Sequence, residues 1–159
     1  MSDSVIRRAE EKDIPRILDL LVQVDMVHHL GRPDLFRGPA TKYTEEELKS
    51  LIQDDSRPVF VYVDDAGVVQ GHAFCAFQQH TEDHVLTDIR TLYVDDICVE
   101  ERCRGQSIGK QLYTYVESFA REHGCYNLTL NVWACNEGAR AFYEACGLKP
   151  QKIGMERIL

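Results

Sequence analysis

Three apolar runs crowd into residues 59–99, and their spacing restricts the fold more than any other feature of the chain. Val59–Val63 reads VFVYV, the turn residues DDAG follow, residues 68–77 form a second β-branched and aromatic run, and residues 91–99 form a third. Two strands joined by so short a turn pair as an antiparallel hairpin, because parallel neighbours need a crossover of a dozen or more residues. A purely parallel sheet is therefore disfavoured. Helical patterns lie on both sides of this block. Ile14, Ile17, Leu18, Leu21 and Val22 recur at helical spacing behind Asp13 as a cap and Pro15 in the first turn, and TEEELKSLIQ reads as a short polar helix. Further on, Ile108, Leu112, Tyr115, Val116 and Phe119 mark an amphipathic helix, and Leu128, Leu130 and Val132 a strand. Asn136 caps a helix carrying Ala139, Phe142, Tyr143 and Cys146, with Gly147 at its C′ position and a last strand expected from about residue 148. With Val5–Arg8 as an opening strand, the expectation is one mixed α/β domain over residues 1–159.

Composition narrows the partners. The chain has 18 Lys and Arg against 26 Asp and Glu, a formal net charge of −8, which argues against a general nucleic-acid binder and favours a cationic ligand. No apolar run approaches the roughly 20 residues of a membrane span. The charged N-terminus lacks the apolar core of a secretory signal, so a cytoplasmic location is expected. The six cysteines contain no C-x-x-C pair and several fall inside apolar periodic segments, so reduced, mostly buried thiols are expected rather than disulfides or a metal site.

The stretch RCRGQSIGK, residues 102–110, concentrates cations, glycines and a serine between a strand and a helix. Backbone N–H groups at such a turn and in the first turn of the helix lack intrahelical partners and, with the positive end of the helix dipole, bind phosphate oxygens. Arg104 and Lys110 add charge, Arg102 is a further cation nearby, and Gly105 and Gly109 let the backbone approach a ligand. A pyrophosphate fits. The P-loop spacing is one residue short, with Gln111 where the magnesium-binding hydroxyl belongs, and G-x-G-x-x-G is absent.

Residues 104–109, RGQSIG, resemble the R/Q-x-x-G-x-G/A signature of the GNAT superfamily of N-acetyltransferases, with Ser107 where the first motif glycine stands. The preceding VDDICVEE and the later NEGARAFYEACGL resemble neighbouring family motifs, so the likeness spans residues 93–148. It implies a central mixed, mostly antiparallel sheet flanked by helices, opened into a V between its fourth and fifth strands, with acetyl-CoA in the gap and no metal. The pyrophosphate would lie on Arg104, Gly105, Gln106, Ser107, Ile108, Gly109 and Lys110. Backbone groups of Ile97, Cys98 and Val99 would pair with the pantetheine arm, and Asn136 would contact the coenzyme.

Acetyl transfer to an amine requires a neutral nucleophile and a proton for the departing thiolate. An alkylamine with a pKa near 10.4 is almost wholly protonated at neutral pH. Asp95 and Asp96 end the strand leading into the anion turn. Alternation sends them to opposite faces, with Tyr93, Asp95, Ile97 and Val99 on one side and Val94, Asp96 and Cys98 on the other. By resemblance to polyamine-type members, Asp95 is the expected base, acting through water, and Asp96 binds or positions the amine. Tyr143 is implied as the acid for the leaving thiolate, although its place on an apolar stripe also fits core packing. His80 and His84 read as loop residues, and Cys98 as a small hydrophobe rather than a nucleophile.

The expected function is transfer of an acetyl group from acetyl-CoA to a primary amine of a small molecule, through a ternary complex. A non-catalytic acyl-CoA sensor and a protein N-terminal or lysine acetyltransferase are the alternatives. No nucleic-acid or membrane partner is expected, and oligomeric state is left open, a homodimer included. The amine itself is not legible: specificity is expected in the first two helices and the loop GRPDLFRGPATKY.

Overall fold

In the computed structural model, which describes residues 4–159, five strands form one sheet in chain order. β1 (Val5–Arg8), β2 (Val59–Val63), β3 (Val69–Gln79) and β4 (Arg90–Val99) pair antiparallel, each with its predecessor, and β5 (Asn127–Leu130) lies parallel to β4. The mixed, mostly antiparallel sheet agrees with the sequence reading.

Helices cover both faces. Ile17, Leu20 and Leu21 of α1 (Ile14–Gly31) and Leu48 of α2 (Glu45–Leu51) pack on Val59, Val61 and Phe74. On the opposite face Leu112 and Val116 of α3 (Ile108–Glu122) pack on Phe60, Ala73, Leu92 and Val94. Each such aliphatic side chain, taken from water into a close-packed layer, contributes about 1.5–3 kcal/mol, so the two layers fix the sheet from either side. The short α2 also depends on local chemistry. Thr44 Oγ1 accepts from Glu47 N–H and the Glu47 carboxylate accepts from Thr44 N–H, both at 3.1 Å, a reciprocal cap announced by T-x-x-E.

Two local expectations are corrected. Asp13 does not cap α1 with its side chain. Its carboxylate accepts instead from Glu10 N–H at 2.8 Å and from Arg7 at 2.7 Å, closing the 3-10 turn Glu11–Asp13 ahead of the helix. Nor does the last segment form a strand: residues 148–159 join no ladder. A strand needs a neighbouring edge, and this segment leaves α4 (Glu137–Ala145) without reaching one. It stays largely exposed, with Ile153, Met155 and Ile158 among its bare apolar side chains, and is tied to the end of α1 by an Arg32–Glu156 ion pair.

The parallel pairing is short. It runs from Thr91 opposite Asn127 to Val94 opposite Leu130 and stops there, while β4 continues to Val99. Beyond Val94 the two strands part, and among the described residues Asp96 to Val99 pair only with β3. This is the expected V-shaped opening between the fourth and fifth strands.

Candidate active site

A bulge in β4 sets the site's geometry. Cys75 of β3 stands opposite Val94 and Phe74 opposite Asp96, which leaves Asp95 without a cross-strand partner. An extra residue shifts the side-chain alternation by one position. Before the bulge Leu92 and Val94 face the α3 layer; after it Ile97 and Val99 face that layer, while Cys98 is buried in the α1/α2 layer. The expected separation of the two carboxylates onto opposite faces, with Val94 beside Cys98, is thereby overturned. Both carboxylates turn toward side chains of the α1/α2 layer.

Each has a defined partner there. Asp96 Oδ2 lies 3.2 Å from His72 Nε2, and His72 is wholly buried on β3. The other ring nitrogen, Nδ1, is also buried and has no hydrogen-bond partner. The ring of His72 meets Phe74 edge-on with centroids 4.8 Å apart. Asp95 Oδ2 accepts from Lys42 Nζ at 2.5 Å and from the Tyr43 hydroxyl at 3.3 Å. Partial burial works against the Lys42 charge, but Asp95 outweighs it and holds the lysine above its ordinary pKa. Burial and the Asp95 charge likewise raise the Tyr43 phenol. The sequence reading did not identify Lys42, Tyr43 or His72. Lys42 and Tyr43 do close the loop GRPDLFRGPATKY, in which specificity is expected, and His72 carries a signal of its own as a polar residue inside the apolar run VQGHAFCAF.

At the far end of β4 the chain makes a 3-10 turn, Glu101–Cys103, and then the glycine turn before α3. Gly105 has φ +88° and Ser107 φ +63°, both in the left-handed region. Serine at the N-cap usually caps with its hydroxyl from an extended backbone; here no such bond forms, and the residue takes the conformation that glycine holds at least cost. Left-handed residues alternating with ordinary ones can gather backbone N–H groups into an anion-binding concavity, and the first N–H groups of a helix such as α3 have no intrahelical partner. Ile108 contributes only its backbone, because its side chain is buried in the α3 layer.

Gly109, in the first turn of α3, lies close to Phe142 of α4 and Val99 of β4: a Cβ there would stand 3.4 Å from Phe142 Cζ and 3.6 Å from Val99 Cγ2, at van der Waals contact. Arg102 donates to Glu100 at 3.0 Å. Buried Glu100 also receives Gln23 and lies 3.6 Å from Arg16, and these donors hold its carboxyl below the usual range. The network ties the root of the turn to α1.

α4 begins as the sequence indicates, with Asn136 Oδ1 accepting from Ala139 N–H at 3.2 Å. The helix buries none of its residues fully, and Phe142 and Tyr143 on its apolar face are half-buried. Tyr143 lies on it. Burial, followed by the Asp96 charge, raises the Tyr143 phenol and keeps it protonated across the physiological range. Asp96 and Tyr143, 47 positions apart, therefore share one electrostatic neighbourhood.

Other residues fall outside the site. Cys98 donates to Leu20 O at 3.3 Å and its thiol is pushed by burial up to about 12, which removes it as a nucleophile. All six cysteines are free; only Cys75 and Cys98 are buried and Cys135 is exposed, so the expectation of mostly buried thiols holds for two. His80 and His84 lie in the exposed loop between β3 and β4. Among the described residues no cluster of three or more His, Cys, Asp or Glu is placed to hold a metal, and no helix is long and apolar enough to cross a membrane.

Comparisons with known proteins point the same way. A glucosamine 6-phosphate N-acetyltransferase of Arabidopsis thaliana is 29% identical over 65 residues, covering 41% of this chain and 42% of that protein. A thialysine N-epsilon-acetyltransferase of Bos taurus is 38% identical over 58 residues, 36% of this chain and 34% of that one. The chain thus spans well under half the length of these curated relatives. Over nearly its whole length it superposes on the crystal structure of a tetramutant of the BH1408 protein from Bacillus halodurans, with a TM-score of 0.93, 28% identity and coverage of 98% of this chain and 99% of that one. The model of the acetyltransferase (GNAT) family matches residues 24–148. That span takes in both carboxylates, the turn before α3 and the helix bearing Tyr143, and the chain belongs to the acetyltransferase (GNAT) family.

Proposed function

We propose that this protein transfers an acetyl group from acetyl-CoA to the primary amine of a small molecule, by direct attack within a ternary complex. The observation that supports this reading is the pair of carboxylates at the bulge where β4 loses its parallel partner, one of which, Asp96, acts electrostatically on the Tyr143 phenol.

The opening suits the coenzyme that the family implies. A free strand edge from Asp96 to Val99 offers backbone donors and acceptors to an extended amide-bearing arm, as Ile97, Cys98 and Val99 would require. The turn at Gly105 and Ser107, with the N–H groups of Ile108, Gly109 and Lys110 and the side chains of Arg104 and Lys110, offers a concave cationic seat for a pyrophosphate. Gln106 lies within that turn. Acetyl-CoA, when bound, supplies the activated acyl group.

This chain's own residues then handle protons and position. A lysine-like amine at pH 7 is neutral in about one molecule of a few thousand, so proton removal is part of the task. Asp95, at the outer end of the pair, holds the acceptor's ammonium. Asp96, the carboxylate nearest Tyr143 in electrostatic terms, takes the proton through water while His72 fixes its orientation. This order reverses the roles that the resemblance implies, because Asp95 meets Lys42 and Tyr43 whereas Asp96 meets His72 and acts on the Tyr143 phenol. Tyr143 donates its hydroxyl proton as negative charge develops on sulfur. Asn136 borders the coenzyme only as the capped start of α4.

The test is an assay of free CoA thiol over a panel of primary amines: alkyl diamines, amino sugars, amino acids and peptides with free N-termini or lysines. Thiol release with small amines is expected, rising with pH to a plateau as the amine or its base deprotonates. Tight acetyl-CoA binding with no turnover over the panel would replace the enzyme by an acyl-CoA sensor.

A further inference from the structure

Lys42 already does at Asp95 what an acceptor amine would have to do. It ends the long connection between α1 and α2 by reaching 53 positions ahead in sequence to place its Nζ 2.5 Å from Asp95 Oδ2. The ammonium also stands 5.7 Å from the centre of the Tyr43 ring, and that ring stacks against Phe74 with centroids 5.5 Å apart. The pair lines a recess of about 300 Å³ together with Tyr43, Arg57, Phe74 and Tyr93.

Several observations separate this contact from an ordinary surface ion pair. Asp95 is the bulged residue, so it has no ladder role to explain its placement. Its side chain is only 20% exposed, whereas that of Lys42 is 50% exposed: the carboxylate belongs to the recess, and the lysine enters from outside. A carboxylate beside an aromatic face favours a cation twice over, through charge-assisted hydrogen bonding and through the ring quadrupole. The bound group is itself a primary ammonium on a flexible, unbranched four-carbon stem. A site that accepts this stem discriminates by shape against an amine attached directly to a ring.

We infer that Lys42 is the resident occupant of the acceptor-ammonium subsite: an unbranched alkylammonium binds by replacing Lys42 Nζ at Asp95, and Lys42 thereby sets the affinity and selectivity for acceptors. This rests on the N-acetyltransferase reading for what happens after binding, but the displacement itself is a binding statement. Because Lys42 is half exposed, the interaction that an acceptor must replace is modest, and its removal should tighten acceptor binding by about fivefold rather than by orders of magnitude.

The experiment compares wild type with Lys42→Met, which keeps the stem and loses the charge, and with Lys42→Gln as a second neutral variant; melting temperatures verify that both fold. Binding of 1,4-diaminobutane and of glucosamine is measured by calorimetry in the presence of CoA, alongside steady-state kinetics with acetyl-CoA. Both variants should bind 1,4-diaminobutane about fivefold more tightly, with KM lowered to match and kcat within twofold, while glucosamine changes little. Adding Asp95→Asn should abolish the gain. Unchanged or weaker diamine binding in the neutral variants, or no diamine binding in any of them, overturns the inference. Failure of the enzymatic reading looks different: diamine binding and its dependence on Lys42 would persist while no amine released CoA thiol.

Discussion

The two sides of the opening are built by different means. The side proposed for the coenzyme comes from one continuous stretch, Asp96 to Lys110, where a strand end, a turn with two positive φ angles and a helix N-terminus present backbone groups. The side proposed for the acceptor is assembled from Lys42, Tyr43, His72, Asp95, Asp96 and Tyr143, brought together across three elements and a loop. Backbone chemistry can be written in a short motif because its geometry is local. Side-chain chemistry of this kind depends on the registers of β3, β4 and α4, so one inserted residue in β4 is enough to change which group meets which.

The largest expected effect tests the tyrosine on which the two sides meet. Tyr143→Phe keeps the ring and removes the hydroxyl; kcat should fall by roughly 10²-fold, with melting temperature and acetyl-CoA affinity nearly unchanged. Retained kcat would reduce Tyr143 to packing and break the proposed link between the two sides. Next, Arg104→Glu reverses a charge at the coenzyme turn without touching the carboxylates. Coenzyme affinity should weaken by about tenfold, more at low salt than at high, while acceptor binding is spared. Equal losses for both ligands would show that the sides are not separate.

Smaller effects concern how the turn is held. Glu100 and Asp13 both have carboxyl groups held below the ordinary range, Glu100 first by its bond from Gln23, and Asp13 by Arg7 and Glu10 N–H, which outweigh the opposing effect of its burial. A lowered carboxylate binds fewer protons folded than unfolded. Its stabilisation is therefore present above the unfolded value, near pH 4, and is lost as pH falls through the lowered folded values. Denaturant unfolding between pH 2 and 6 should show this loss, and Glu100→Gln should flatten part of it. A Glu100→Gln protein with unchanged acid sensitivity would mean that the turn does not depend on its tie to α1. The smallest effect is a gain: Ser107→Gly relieves a left-handed serine and should raise stability by about 1 kcal/mol, read as a higher denaturant midpoint. A neutral or destabilising result would reveal a compensating role for the serine side chain.

Much of the scaffold was legible from local rules. The hairpin of β2 and β3 followed from β-branched runs around DDAG, α2 from the polar helical stretch TEEELKSLIQ, and α4 from Asn136 ahead of an apolar stripe. The final strand was not, because an apolar segment reads alike whether or not an edge is within reach.

By itself, the sequence determined most of the element order, the mixed sheet and the glycine turn before α3, since periodicity, capping and turn chemistry act over a few residues. Tertiary structure decided which of those groups meet. The bulge at Asp95 turned two neighbouring carboxylates toward one layer and gave them separate partners, buried His72 and incoming Lys42. No local rule specifies a bulge, because it depends on the register that β3 and β4 reach only when helices pack on both faces of the sheet.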